Sequence, residues 1–534
     1  MNWSGWTSRR FVITIATVLA AGAALAGTTV AGEMSRPAAS TPWKVAVEPS
    51  LLSLLEPVAG LAFNFTPAGQ EQAEQLLIDG LADAALTLRP GSSPGILHEP
   101  VATVTWVAAA PFLSDVHEIS LDEARGLHRG TPRQDGVVVL GPNDRVAGMR
   151  CLAVGGVKPG ADEIAGGRYP FQDRVYILTR SQSIVSALLN RVLRRPGRGV
   201  EAAAAVRDKE IISRLSPTEK TVSLTVVGDI MLARGVASLI RKHGAGYPMS
   251  LVGPLISASD ITFANLESPI GVTGQPIPGK MIWFRAEPQA IQSLLDAGID
   301  AVTLANNHTL DYDSENLLET IRLLRENGIA HTGAGASIIE ARKPAVVERH
   351  GVKVAFLGYS EFAHPSLYWS TKYPRTLMAT ATLAGTTPLD LAMIEEDIAA
   401  ARKSADLVAV AIHWGQEYTN YPIPYFGPDL KKIARQTVDL GADMVFGFHP
   451  HAIQGIEIYR GRPIAYSLGN FVMDQKRPIT RESMIITLNL ARDGVKFIDV
   501  IPAMIDEGRP RPLSGGEAAA LMAKIRSISA GLAK

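Results

Sequence analysis

The chain has 534 residues, 52 basic and 52 acidic side chains, and 46% hydrophobic residues. The length points to two or three domains, and the balanced charge excludes the basic stripe that a nucleic-acid partner needs. Cys151 is the only cysteine, so an intramolecular disulfide and a Cys-rich zinc site are excluded, and any metal must be held by His, carboxylate and amide oxygens.

In chain order, residues 1–34 read as a signal peptide. Arg9 and Arg10 supply a positive start, Phe11 to Ala26 is apolar, and Ala24-Leu25-Ala26 offers small residues to a signal peptidase. The apolar stretch is short for a membrane span, which needs about 20 residues. Ser8-Arg9-Arg10-Phe11-Val12-Ile13 has the form of a twin-arginine export signal and equally that of an ordinary leader. The expectation is export to the periplasm or cell envelope, with membrane attachment only if this segment stays uncleaved.

Residues 42–190 alternate β-like runs (44–47, 101–108, 136–140, 175–178) with helical stretches such as 70–82, a smaller α/β domain. Residues 191–221 read as a linker: Arg194-Arg195-Pro196-Gly197 is a breaker cluster, followed by an Ala-rich helical piece at 201–215. Residues 222–505 show regular strand–helix alternation, the pattern of an α/β domain with a largely parallel sheet. In one helix Pro288 takes a first helical position, Ala290, Ile291, Leu294 and Leu295 form the apolar face, and Gly298 ends it. In another, Ser314 is the cap, Leu317, Leu318, Ile321 and Leu324 turn inward, and Gly328 ends it; a third carries Leu430, Ile433, Ala434 and Val438 and stops at Gly441. Residues 506–534 have helical spacing and form a C-terminal tail.

Five apolar runs in 222–505 each lead to a side chain that can bind a metal. They deliver Asp229, Glu267, Asn307 with His308, His413, and the pair His449 and His451. Ligands bind at the carboxyl ends of the strands in an open α/β sheet, so these residues are expected along one edge. Carboxylate oxygen and imidazole nitrogen without thiolate suit a divalent metal, one or two ions of Mn, Fe or Zn. His449 and His451 lie two apart, so in an extended strand both would share a face, with Pro450 stiffening the turn. Taken singly, each motif has a plain reading as a turn, a helix entry or a packed histidine. Their succession, each after a strand, argues for a common site.

Gly228-Asp229-Ile230-Met231, Ala264-Asn265-Leu266-Glu267-Ser268-Pro269, Asn306-Asn307-His308-Thr309-Leu310-Asp311-Tyr312, His413-Trp414-Gly415-Gln416-Glu417-Tyr418, His449-Pro450-His451 and Tyr466-Ser467-Leu468-Gly469-Asn470-Phe471 resemble, in order, the motifs of the CapA (poly-γ-glutamate capsule synthesis) family. The resemblance implies a metallophosphoesterase-like four-layer α/β sandwich. It also implies that Asp229 and His451 share one metal position, that Asn307, His413 and His449 serve a second, and that Glu267 lies between them. His308 would assist at the leaving group. Phosphoesterases carry Asp-x-His at the first motif; Met231 stands there instead and removes a nitrogen ligand.

Asn265, Lys280, Trp414 and Tyr418, with Trp283 and Arg285, are candidates for lining the substrate groove. Residues 42–190 carry a fainter likeness to a reduced periplasmic binding protein of the phosphate type. Three functions are therefore open. One is a metal-dependent hydrolase or transferase acting on an anionic polymer or a phosphoester. The second is a non-catalytic polymer-binding factor of the envelope capsule machinery, and the third a solute-binding protein working through the first domain.

Overall fold

The computed structural model describes residues 221–532 apart from 371 and, earlier in the chain, separate segments between 43 and 179. The segment 1–34 and the helical piece at 201–215 lie outside the described residues. The chain forms two compact units, the second built on Lys220–Lys534.

The first unit holds a five-stranded sheet in the order Phe63–Pro67, Trp43–Val47, Ala84–Thr87, Gln172–Thr179, Leu97–Thr105. Gln172–Thr179 runs antiparallel to both neighbours. Ala73 and Leu77 of the helix Gln70–Ile78 are buried with Ala46, Ala68 and Ala85. The run at 101–108 is divided between two strands, Leu97–Thr105 and Val107–Pro111. The expected helical stretch 70–82 is described as a helix over Gln70–Ile78, and its remaining residues lie outside the described ones.

In the second unit the chain runs β1 (Val222–Ile230), α1 (Arg234–His243), β2 (Ile261–Leu266), α2 (Ile291–Asp296), β3 (Ala301–Thr303), α3 (Asp313–Glu326) and β4 (Ala330–Thr332). It continues through β5 (Ala345–Arg349), β6 (Val352–Ser360), α4 (Leu391–Ala401), β7 (Leu407–His413), α5 (Leu430–Asp439) and β8 (Met444–Phe448). The last elements are β9 (Ile456–Tyr459), β10 (Arg462–Ala465), β11 (Asn470–Val472), β12 (Glu482–Ala491), β13 (Gly494–Asp506), β14 (Arg509–Pro512) and α6 (Gly515–Leu532).

These strands make two sheets where the strand-end pattern suggested the edge of one. The first has the order β4-β3-β2-β1-β12-β13-β14, with β11 also pairing β1; the second is β5-β6-β7-β8-β10-β9. Strands β1 to β4 are mutually parallel, as are β6, β7, β8 and β10. The chain continues past 505 into the hairpin of β13 and β14, so the tail begins as part of the first sheet.

Side-chain parity explains the stacking. In β7, Leu407, Ala409 and Ala411 share a cluster with Leu224, Val226 and Phe263 of the first sheet, while Val408, Val410 and Ile412 pack with Ile394 and Ile398 of α4 and Ile433 of α5. Strands apolar on both faces are what a doubly covered sheet requires. Phe263 stacks on Phe356 across the inter-sheet layer, ring centroids 4.4 Å apart. The far face of the first sheet is covered by Val236 and Ile240 of α1, Leu294 of α2 and Leu317, Ile321 and Leu324 of α3. Leu318, expected inward, is 41% exposed because it falls on the outer side of α3. Ser314 is not the cap: the helix begins at Asp313 with Tyr312 at the N-cap position and no side-chain cap bond, and the Asp313 carboxylate instead accepts the Ser314 amide at 2.6 Å. Among the described residues no helix is long and apolar enough to cross a membrane.

Candidate metal centre

The register sets Asp229 of β1 abreast of Asn265 of β2 and Asn470 of β11. Between Val226 and Asp229 the β1–β2 register slips, which interrupts the strict alternation just before the carboxylate. Gly228 is required there, since a Cβ would run into the carbonyl oxygen of Gly469. Asp229 is fully buried; Asn265 Nδ2 donates to its Oδ1 at 2.8 Å and the His449 amide to its Oδ2 at 3.3 Å.

Glu267 follows β2, its amide donating to Ile230 O at 2.9 Å. Both its carboxylate oxygens are buried without a hydrogen-bond partner among the described residues. Oε1 lies 3.9 Å from His413 Nε2 and 3.7 Å from His451 Nε2. A buried carboxylate left in this state costs free energy unless a cation or proton compensates it.

After β3, Asn306 locks the turn. Its Nδ2 donates to Asn265 Oδ1 at 3.1 Å and Leu266 O at 2.8 Å, and its Oδ1 accepts from the His308 amide at 3.0 Å. That turn brings Asn307 Oδ1 to 3.0 Å from His413 Nε2. It also sets His308 Nδ1 2.7 Å from Asp311 Oδ2, with the Phe284 ring stacked on the imidazole at 3.9 Å. Lys280 pairs with the other Asp311 oxygen and donates to Asn307 O at 2.7 Å.

His449 and His451 do not share a strand face, because β8 ends at Phe448. They form a turn with φ of 96° and 52° about Pro450. Left-handed geometry is uncommon for such residues and is held here by the surrounding bonds. His449 Nδ1 lies 3.1 Å from His413 Nε2, and its Nε2 is buried without a partner among the described residues. His451 Nδ1 lies 2.8 Å from Asn470 Oδ1 and 3.6 Å from Asp229 Oδ2.

Three donor groups result: Asp229, Glu267 and His451; Glu267, His413 and His449; and Glu417, His449 and His451. In each, one ligand atom per residue lies within 4.8 Å of the others. Burial raises the Glu267 carboxyl well above its usual range, and burial followed by the neighbouring imidazoles holds His413 and His449 well below theirs. Burial opposes charge on His451, but Glu267 and Asp229 outweigh it and raise the imidazole to about 10. Burial lowers His308 to about 4, against the pull of Asp311. The neutral imidazoles of His413 and His449, the unpartnered Glu267 oxygens and the unpartnered His449 Nε2 fit a divalent cation.

The groove candidates fare unevenly. Trp414 is fully buried in the core beneath α4 and α5, its Nε1 donating to Tyr466 O at 3.0 Å; it faces away from His413, its neighbour in sequence, and does not line a groove. Asn265 is likewise fully buried and orients Asp229 rather than meeting substrate. Lys280 is 8% exposed and committed to Asp311 and Asn307. Arg285 stacks over Tyr312 at 3.9 Å and caps carbonyls of 272–274. Tyr418 is half-buried with its ring 6.1 Å from that of His451. Sequence reasoning missed the roles of Asn306, Asp311, Glu417 and Asn470, although all four lie within the motifs; Asp311, three residues after His308 in the same turn, was the most readable.

Fold and site together define an α/β protein with a His- and carboxylate-lined centre at the meeting edges of two sheets. The family model for the bacterial capsule synthesis protein PGA_cap matches residues 223–475. The capsule biosynthesis protein CapA of Bacillus anthracis is 30% identical over 321 residues, covering 59% of this chain and 73% of its own. The PGA biosynthesis protein CapA of Bacillus subtilis (strain 168) is 32% identical over 298 residues, covering 55% and 75%. The chain belongs to this CapA family. An ABC-type phosphate transport receptor from Vibrio cholerae aligns with 28% of this chain and 93% of its own at 11% identity, with a TM-score of 0.23, too low to show a common fold.

Proposed function

We propose that the second unit is a metal-dependent hydrolase or transferase on a metallophosphoesterase-like four-layer frame, acting on an anionic envelope polymer or a phosphoester outside the cytoplasm. The observation that carries this reading is Glu267, whose two buried, unpartnered oxygens lie between the Asp229–His451 side and the His413–His449 side. Asp229, Glu267 and His451 would hold one divalent cation, and Glu267, Asn307, His413 and His449 a second. A cation bound there supplies Lewis acidity, stabilising negative charge that develops on a phosphoryl or acyl oxygen.

The chain's own groups supply the rest. Asp311 accepts from His308 Nδ1 and so leaves Nε2 to hold or pass a proton at the leaving group. Phe284 fixes the plane of that ring from one side. Tyr418 flanks His451, where it can exclude water from a bound chain. The relatives carry names from capsule and PGA biosynthesis, which favours an anionic polymer as the substrate class.

The test uses the purified full chain with added Mn²⁺, a phosphodiester and a γ-linked glutamate polymer. Turnover of either one, lost in His308→Ala with metal content retained, is expected. Polymer binding without turnover, unchanged in His308→Ala, would replace the catalytic reading with that of a binding factor.

A further inference from the structure

The group made by Asp229, Glu267 and His451 offers only three protein donors, fewer than divalent cations of this kind usually take. Met231 does not add a fourth. It is fully buried in the core against α1, and its Sδ accepts the Ala233 amide at 3.1 Å. The unpartnered Nε2 of buried His449 also requires a neighbour. Resting on the metal-centre reading, we propose that Glu417 is a direct metal ligand, an exchangeable carboxylate presented from the solvent side to the imidazoles of His449 and His451.

The loop after β7 is built for that presentation. Gly415, at φ 83°, donates its amide at 2.7 Å to Glu361 Oε2, a carboxylate only 7% exposed. Three residues on, Tyr418 adopts φ 62° and donates its amide at 2.7 Å to Pro450 O, the centre of the His-Pro-His turn. A non-glycine residue in this region persists only where its surroundings impose it. The Arg477 guanidinium covers the Tyr418 ring at 4.3 Å from the outer side. Gln416 and Glu417 are thus held between two pinned amides, and Gln416 N is committed to Ile423 O at 2.9 Å. Glu417 is exposed while both histidines are buried, so its carboxylate meets them from outside. A loop-borne ligand of this kind can leave when substrate enters, whereas Asp229 and Glu267 cannot.

The discriminating experiment is Mn²⁺ titration of the full-length metal-free protein, by calorimetry and by the electron paramagnetic resonance of the bound ion. Wild type is compared with Glu417→Gln, Glu417→Ala and Glu267→Gln. Glu417→Gln is expected to weaken binding at one site about tenfold or more and to change the spectrum of the bound ion. Its melting temperature in EDTA should match wild type, because the residue is exposed. Wild-type affinity and spectrum in both Glu417 variants, with Glu267→Gln impaired, would overturn the role of Glu417 and leave the centre standing. Equal binding by wild type and Glu267→Gln, or none by wild type, would remove the centre and this ligand together.

Discussion

Asp311 is shared between an imidazole and an ammonium: Oδ2 lies 2.7 Å from His308 Nδ1, and Oδ1 pairs with the Lys280 ammonium. All three side chains are buried, and the Phe284 amide also donates to Oδ2 at 2.6 Å. The carboxylate therefore fixes the His308 tautomer and neutralises an ammonium that has little access to water. Asp311→Asn leaves Lys280 buried without its counter-ion, and breaking such a pair costs roughly 3–5 kcal/mol. Urea denaturation of Asp311→Asn should show a loss of that order, with Lys280→Met Asp311→Asn recovering much of it.

The centre also predicts an acid limit to stability. The folded protein resists a proton on His308 until about pH 4, whereas the unfolded imidazole takes it near 6.5. The group's contribution is whole above 6.5 and lost as pH falls toward 4, by about 1.4 kcal/mol per unit. His413 and His449 act in the same direction. His451 acts oppositely, its contribution being complete below 6.5 and lost as pH rises through about 10. Metal-free wild type should lose stability steeply below pH 6.5, and His308→Gln less steeply. Equal slopes in the two proteins would contradict the assignment.

Gly228 permits β1 to pass the Gly469 carbonyl on its way to Asp229. Gly228→Ala must push that backbone aside, at a cost of about 1–3 kcal/mol. The same displacement moves Asn470, so thermal unfolding and Mn²⁺ affinity should both decline in this variant.

Trp414 gives the opposite pattern. Trp414→Phe removes the donor to Tyr466 O in a sealed core and should cost about 1–3 kcal/mol. With no part in the groove, it should leave KM unchanged for whichever substrate is turned over.

The strand ends were readable because each apolar run stops at a residue that can bind metal, and the family motifs fixed which of these count. The division into two sheets was implied only by the family resemblance to a four-layer sandwich and not by the strand pattern, since a period of two reports faces and says nothing about which strands pair. Trp414 shows a signal that was present but misread: positions 408, 410, 412 and 414 alternate away from His413, which assigns Trp414 to the helix-covered face. The same parity rule failed for His449 and His451, because it holds only while the strand lasts, and β8 ends one residue earlier. Glu417 escaped notice because its approach to the histidines depends on a loop conformation fixed by distant partners, Glu361 and Pro450.

The most direct measurement compares wild type with Glu267→Gln by thermal unfolding, in EDTA and then in Mn²⁺. Glu267 is buried with two unpartnered oxygens, so in EDTA the neutral amide should be at least as stable as the carboxylate. Mn²⁺ should then raise the melting temperature of wild type and leave that of the variant nearly unmoved. A Glu267→Gln protein that gains as much from Mn²⁺ as wild type does would contradict a centre organised around this carboxylate.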